Sequence, residues 1–234
     1  MNTLIRSASW KGLPTVIIGS SGNSKEIAFI IEDINTNSNN EVIDLLGFVE
    51  KEEESVGREI LKYKVVACDS NLKDFASKYA VLGVILPNGF PEVKKRIFEN
   101  TLKDINNIVF PNITHPSVTF QKDTVDIGYG NIFTAGVRLT GNIIIGCFNL
   151  FNQNTTIAHD VQIGDFCVIN PLTSISGGVK IEDVVLIGTG SSILQNLEIE
   201  TNSIVGAGAV VTKNVQKNTT VAGVPAKPLK GESL

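Results

Sequence analysis

Histidine is nearly missing from this chain: 234 residues contain two, His115 and His159. A zinc site of three imidazoles is therefore out of reach, and histidine chemistry near neutral pH comes down to those two side chains. Cysteine is also scarce. Cys68, Cys147 and Cys167 are odd in number, far apart and in no Cys-x-x-Cys pattern, which argues against a disulfide framework and a zinc knuckle and fits a reducing compartment. They read as small apolar residues. No stretch approaches the roughly 20 apolar residues of a membrane helix, and Met1 to Pro14, despite Arg6 and Lys11, has no apolar run of signal-peptide length. The expectation is a cytoplasmic protein without membrane insertion. Basic charge is not in surplus either: the net charge is -4 and the pI about 5.3, so nucleic acid is not an expected partner and an anionic ligand would need a local site.

What is present is ordinary in amount, 42% hydrophobic and 19% charged residues, enough for one large domain or two small ones. It is not ordinary in order. After an extension over 1–14, Thr15-Val16-Ile17-Ile18 is a short β-branched run that ends at Gly19-Ser20-Ser21-Gly22 and passes into Lys25 to Ile31, a helical stretch. Further apolar runs at Leu45 to Val49, Lys64 to Ala67 and Val81 to Leu86, with a helical pattern over Pro91 to Leu102, predict strands alternating with helices. Residues 15–110 thus read as a small Rossmann-like parallel α/β domain. Residues 111–126 form a junction, where Pro116 holds His115 in extended backbone.

From 127 to 215 a different period takes over. An apolar residue occupies every sixth position: Ile127, Phe133, Leu139, Ile145, Phe151, Ile157, Ile163, Ile169, Ile175, Ile181, Ile187, Ile193, Ile199, Val205 and Val211. The next residue is often glycine (Gly128, Gly146, Gly164, Gly188, Gly206), and the position four after the apolar one is often small or β-branched, as at Val161, Thr173 and Ser191. Neither a helix nor an ordinary strand has this period; it is the hexapeptide repeat of a parallel β-helix. Each hexad is a short strand and a turn, three hexads close one triangular coil, and the large aliphatic residue stacks inward on its equivalents. Glycine and asparagine are expected at corners whose backbone a Cβ disfavours. A β-sandwich would need turn signals every 8 to 12 residues, and an ice-binding or structural repeat would carry regular threonine ladders and no α/β domain. Residues 216–234, with Gly223-Val224-Pro225-Ala226-Lys227, leave the register as a tail.

His159 lies two residues after the core position Ile157, hence at a turn with its side chain outward, and Asp160 follows. A carboxylate there favours the imidazolium that forms when a histidine accepts a proton, so the pair reads as a general base. Gly177-Gly178 falls one coil above His159, where a backbone N–H can hold an oxyanion. In the first half, Gly19 and Gly22 before a helix offer amides and a helix N-terminus to a phosphate.

Taken together, the glycine turn of the first half, the unbroken hexads, Ile157-Ala158-His159-Asp160 and the Gly-Val-Pro-Ala-Lys tail resemble the hexapeptide-repeat sugar acetyltransferases related to bacterial sialic acid O-acetyltransferases and UDP-4-amino-sugar N-acetyltransferases. The resemblance runs from Thr15 to Lys227. It implies a left-handed β-helix, acetyl-CoA as co-substrate, no metal, three chains around a threefold axis, and direct acetyl transfer to a nucleotide-linked amino sugar in surface-glycan synthesis. It implies His159 as base supported by Asp160, with Gly177 donating to the oxyanion. CoA is implied to lie along Val168, Thr189 and Ala207, with Lys227 near its phosphates, and the nucleotide sugar against Ser21, Gly22, Asn23 and Glu50. The chain departs from the pattern at Asn23, where relatives often have histidine, at Pro87-Asn88, where they usually have a glycine, and at Val168, where some have a polar residue. O-acetylation of a sialic acid or other surface sugar is the alternative within the enzyme reading, and a nucleotide-sugar-binding protein without catalysis is the alternative outside it.

Overall fold

The computed structural model describes residues 11–38 and 42–229; most of the expected N-terminal extension and the last five residues of the tail lie outside them. The first apolar run becomes β1 (Leu13–Ile18), which hands over to α1 (Gly22–Thr36), β2 (Ile43–Glu50), β3 (Glu59–Ile60) and β4 (Tyr63–Cys68). Then follow α2 (Leu72–Ala76), β5 (Leu82–Ile85), α3 (Pro91–Ile97), which ends in a π turn over Phe98–Leu102, and β6 (Ile108–Val109). The sheet order is β3-β4-β2-β1-β5-β6, parallel except for the short β3–β4 pair. Because β1 sends the chain to β2 on one side and pairs with β5 on the other, the strand order reverses beside its C-terminal end, where open α/β sheets bind ligands.

The hexads form three stacks. The first face carries Ile132–Phe133, Leu150–Phe151, Val168–Ile169, Leu186–Ile187 and Ile204–Val205; the second carries Arg138–Leu139, Thr156–Ile157, Ser174–Ile175, Ser192–Ile193 and Val210–Val211. Val125–Ile127, Ile143–Ile145, Gln162–Ile163, Lys180–Ile181 and Glu198–Ile199 make the third. Partners are in parallel register one 18-residue coil apart, as in Ile145↔Ile163 and Ile169↔Ile187. The aliphatic column forms one continuous buried cluster, with Phe133 and Phe151 stacked at 4.7 Å. The small position is buried too: the hydroxyls of Thr155, Thr173, Ser191 and Ser203 each donate to a carbonyl three residues back at 2.6 to 2.7 Å, so none is left unsatisfied.

Two details differ from the sequence pattern. Coiling begins before Ile127: Ile113–Thr114 pairs with Ile132–Phe133, and Thr119 bridges to Arg138. It also continues past residue 215, because the last coil is 16 residues long, which puts Val215 beside Ile199 and Val221 beside Val205. The glycines that follow the core residue do not supply the corner conformation. Corners are made by Asn142, Asp160, Gly178 and Asn196 in one column, with φ of 54° to 68°. Gly188 is there for close approach, since a Cβ on it would lie 2.5 Å from the backbone nitrogen of Ala207 in the next coil.

The α/β domain packs on the first face. Ile27 and Ile31 of α1 share one buried cluster with Ile132, Leu150 and Val168. At the adjoining corner Phe98 meets Phe148 at 4.8 Å and Phe166 at 5.7 Å, and the fully buried Lys94 donates to the Phe148 carbonyl at 2.9 Å. His115 follows the strand Ile113–Thr114 where the first coil meets α1: Nε2 is 3.3 Å from the carboxylate of Asp33 on α1 and Nδ1 is 2.7 Å from the Ser117 hydroxyl.

Candidate functional site

His159 stands at the corner that ends the second face, directly after the strand Thr156–Ile157. Its side chain is 70% exposed, and Nδ1 lies 2.7 Å from Oδ2 of Asp160. Donation from Nδ1 to the carboxylate leaves Nε2 with its lone pair, the form a base requires. The Asp160 backbone sits in the left-handed corner at φ 62°, which turns its carboxylate back onto the ring. The hydrogen bond with His159, and after it the Asn142 amide 3.3 Å from Oδ1, hold the Asp160 carboxyl below its ordinary range. Asn142 was not singled out from the sequence. The signal was there, one coil before Asp160 in the same corner column.

Gly177 lies one coil on, against the imidazole: a Cβ at that position would meet Cε1 at 2.7 Å and Nε2 at 2.9 Å. The ring takes the space a side chain would fill. The Gly177 carbonyl accepts from Asn196 at 3.0 Å, and the Gly178 N–H donates to the His159 carbonyl at 2.9 Å. The Gly177 N–H has no acceptor among the described residues. A shallow cleft of about 250 Å³ runs beside this corner over the second face, lined by Arg138, Thr156, Ala158, Ser174, Ser176 and Gly177.

Thr189 and Ala207 occupy the opposite corner column of that face, both exposed, with Gly208 donating to the Thr189 carbonyl at 2.8 Å. Val168 does not join them. It sits on the first face, fully buried in the cluster with α1, and its N–H is bonded to the Val185 carbonyl. It offers a cofactor neither surface nor a free amide, because the α/β domain covers that face. Lys227 is exposed in a strand antiparallel to Thr220–Ala222 and has no ion pair among the described residues.

At the other expected site, Ser21 stands at the N-cap position of α1 without a side-chain cap bond, its hydroxyl 3.3 Å from that of Ser24, and Gly19 turns the chain at φ 77°. Asn23 reaches across to the Pro87 carbonyl at 3.3 Å and ties the β1 loop to the β5 loop. Glu50 accepts from the Ser20 hydroxyl and from Arg58, the latter at 3.1 Å. A cleft of about 390 Å³ opens at these strand ends, with α3 as its wall. The α/β domain lies on the first face, whereas His159 projects from the corner between the second and third faces, so one chain does not bring the two sites together.

Residues 178–213 match the family model described as bacterial transferase hexapeptide (six repeats). The matched stretch lies within the β-helix. It is similar in structure to a variant of perosamine N-acetyltransferase from Caulobacter crescentus bearing CoA and GDP-perosamine, with 24% identity and a TM-score of 0.81 over 94% of this chain and 97% of that one. The acetyltransferase domain of PglB from Neisseria gonorrhoeae superposes with a TM-score of 0.80 at 22% identity, over 92% and 99% of the two chains. WeeI from Acinetobacter baumannii shares 29% identity with a TM-score of 0.77 over 93% and 100%. No curated protein sequence matches. The shared fold extends over both parts of the chain, so the left-handed β-helix with an α/β domain before it is a common architecture of these proteins. Among the described residues no helix is long and apolar enough to cross a membrane, and no three histidine, cysteine or acidic side chains group as a metal site.

Proposed function

We propose that this protein is an acetyl-CoA-dependent N-acetyltransferase acting on a nucleotide-linked amino sugar. The observation that carries the reading is the His159–Asp160 pair held against the side-chain-free Gly177 on a hexapeptide coil, in a chain that also has a strand-end cleft beside a glycine turn. Its support from known proteins is that similarly folded ones are described as an N-acetyltransferase with CoA and GDP-perosamine and as an acetyltransferase domain.

In this reading Nε2 of His159 takes the proton from the sugar amine as the nitrogen attacks the thioester carbonyl. Asp160, braced by Asn142, favours the imidazolium, and the Gly177 N–H steadies the oxyanion. The C–S bond then breaks, and the imidazolium returns the proton to the departing thiolate. No covalent enzyme intermediate is needed. CoA would run along the second face toward Thr189 and Ala207, with Lys227 near its phosphates, and Ser21, Gly22, Asn23 and Glu50 would hold the nucleotide sugar. Since His159 faces away from its own α/β domain, the site is completed by a neighbouring chain in a closed threefold assembly. The chemistry suits a cytoplasmic enzyme of surface-glycan synthesis.

The test is release of free CoA thiol with acetyl-CoA and a panel of UDP-, GDP- and dTDP-linked amino sugars and free or CMP-linked sialic acid, with sedimentation of the same preparation. Turnover on an amino-sugar nucleotide by a three-chain particle is the expected result. Turnover on sialic acids alone would make it an O-acetyltransferase, no turnover would leave a binding protein, and an active monomer would refute the shared site. A second expectation concerns Asp160→Asn. Without the carboxylate that orients the ring and favours the imidazolium, kcat/KM should fall roughly tenfold with CoA affinity unchanged; activity within about twofold of native would mean that Asp160 does not support the base.

A further inference from the structure

The cleft at the strand ends has a composition that the nucleotide reading alone does not explain. Its apolar lining is Ile18 and Val49 from the sheet and Val93 and Ile97 from α3, which together wall the slot. Around that slot stand Asp69, at the end of β4, and Arg96 and Asn100, on α3 and the turn after it. None of these three side chains has a hydrogen bond or ion pair among the described residues, although Asp69 is half-buried, and burial pushes its carboxyl above the ordinary carboxylate range against the pull of Lys51. By contrast Glu50, on the same rim, is already engaged by Ser20 and Arg58.

Unpartnered polar groups around an apolar slot are the arrangement of a ligand pocket, and their chemistry discriminates among bases. An ionised carboxylate only accepts hydrogen bonds. Guanine alone presents two adjacent donors, N1–H and the N2 amino group, to its two oxygens. Uracil and thymine present one N–H flanked by carbonyl oxygens, which a carboxylate repels, and adenine presents a ring acceptor beside its amino group. A guanidinium matches guanine O6 and N7.

Resting on the nucleotide-sugar reading, we infer that this cleft takes a guanine nucleotide, with Asp69 reading the N1–H and N2 amino edge and Arg96 the O6 side, so that the acceptor substrate is a GDP-linked rather than a UDP-linked amino sugar.

The experiment is calorimetric binding of GDP, UDP, dTDP and ADP to the full chain and to Asp69→Asn and Arg96→Met, each variant checked by its thermal melt. GDP should bind the native protein at least about tenfold more tightly than UDP, roughly one good base contact. Asp69→Asn should bring the two within about twofold, and Arg96→Met, at an exposed position, should weaken GDP more than UDP. Equal or tighter binding of UDP or dTDP, or an unchanged preference in both variants, would overturn the guanine assignment and leave the nucleotide-sugar reading standing. Binding of none of the four would remove both.

Discussion

His159→Ala is expected to lower turnover by roughly 10² to 10⁴ while leaving CoA binding nearly unchanged, the usual range for loss of a positioned general base. That corresponds to roughly 3 to 5 kcal/mol of transition-state stabilisation. The reason is geometric. With Nδ1 engaged by Asp160 at 2.7 Å, Nε2 is the basic atom of this corner, and His115, the other histidine, is occupied at the domain junction by Asp33 and Ser117. The side chain is 70% exposed and its removal leaves no buried cavity, so the fold should melt within a degree or two of the native protein. Single-turnover acetyl transfer, with CoA affinity measured separately, distinguishes loss of chemistry from loss of binding. Activity within a few-fold of native would remove His159 from the mechanism.

Lys94 gives the second large effect, on stability. It is fully buried with its Nζ 2.9 Å from the Phe148 carbonyl, and burial pulls its pKa from 10.5 down to about 7. Above pH 7 the folded state has released this proton while the unfolded chain, titrating near 10.5, still holds it, so stability rises with pH in that window, by about 1.4 kcal/mol per unit. Between pH 7 and 9 the gain from this group is roughly 2 to 3 kcal/mol. The window closes near 9, because burial pushes the neighbouring Cys167 thiol up to about 12 from 9.0; its contribution, present below 9, is lost at higher pH with the opposite sign. Lys94→Met keeps the length of the side chain and removes the titration. Urea midpoints of the two proteins should therefore differ in slope over pH 7 to 9, the native protein gaining and the variant flat. Parallel curves would show that Lys94 stays protonated or reaches water.

The β-helix was legible because its period is unlike any other. One aliphatic residue every six positions fixes strand, corner and core together, so Ile145↔Ile163 and the rest follow from counting. His159 was legible for the same reason: its distance from Ile157 puts it at an outward corner, and Gly177 one coil later must lie against it. The corner glycines were read less well. Gly188 and its equivalents are required by coil-to-coil contact, a distance between backbones that no single hexad displays, while Asp160 and Asn142 take the left-handed conformation instead. The ends of the helix were hidden too, because Ile113 and Val221 pair through strands that stand outside the six-residue register.

The sequence by itself therefore determined the two architectures, the stacking register and the place of the catalytic candidate, all consequences of local periodicity and near-neighbour spacing. The tertiary structure decided what the periodicity is indifferent to: which of three similar faces the α/β domain covers. That docking is set by long-range contacts, Ile27 and Ile31 on Leu150 and Val168, Phe98 on Phe148, Lys94 on a corner carbonyl. It buries Val168 and turns His159 away from its own chain's cleft. Residues so far apart in the chain meet only because two apolar surfaces gain more by covering each other than by facing water.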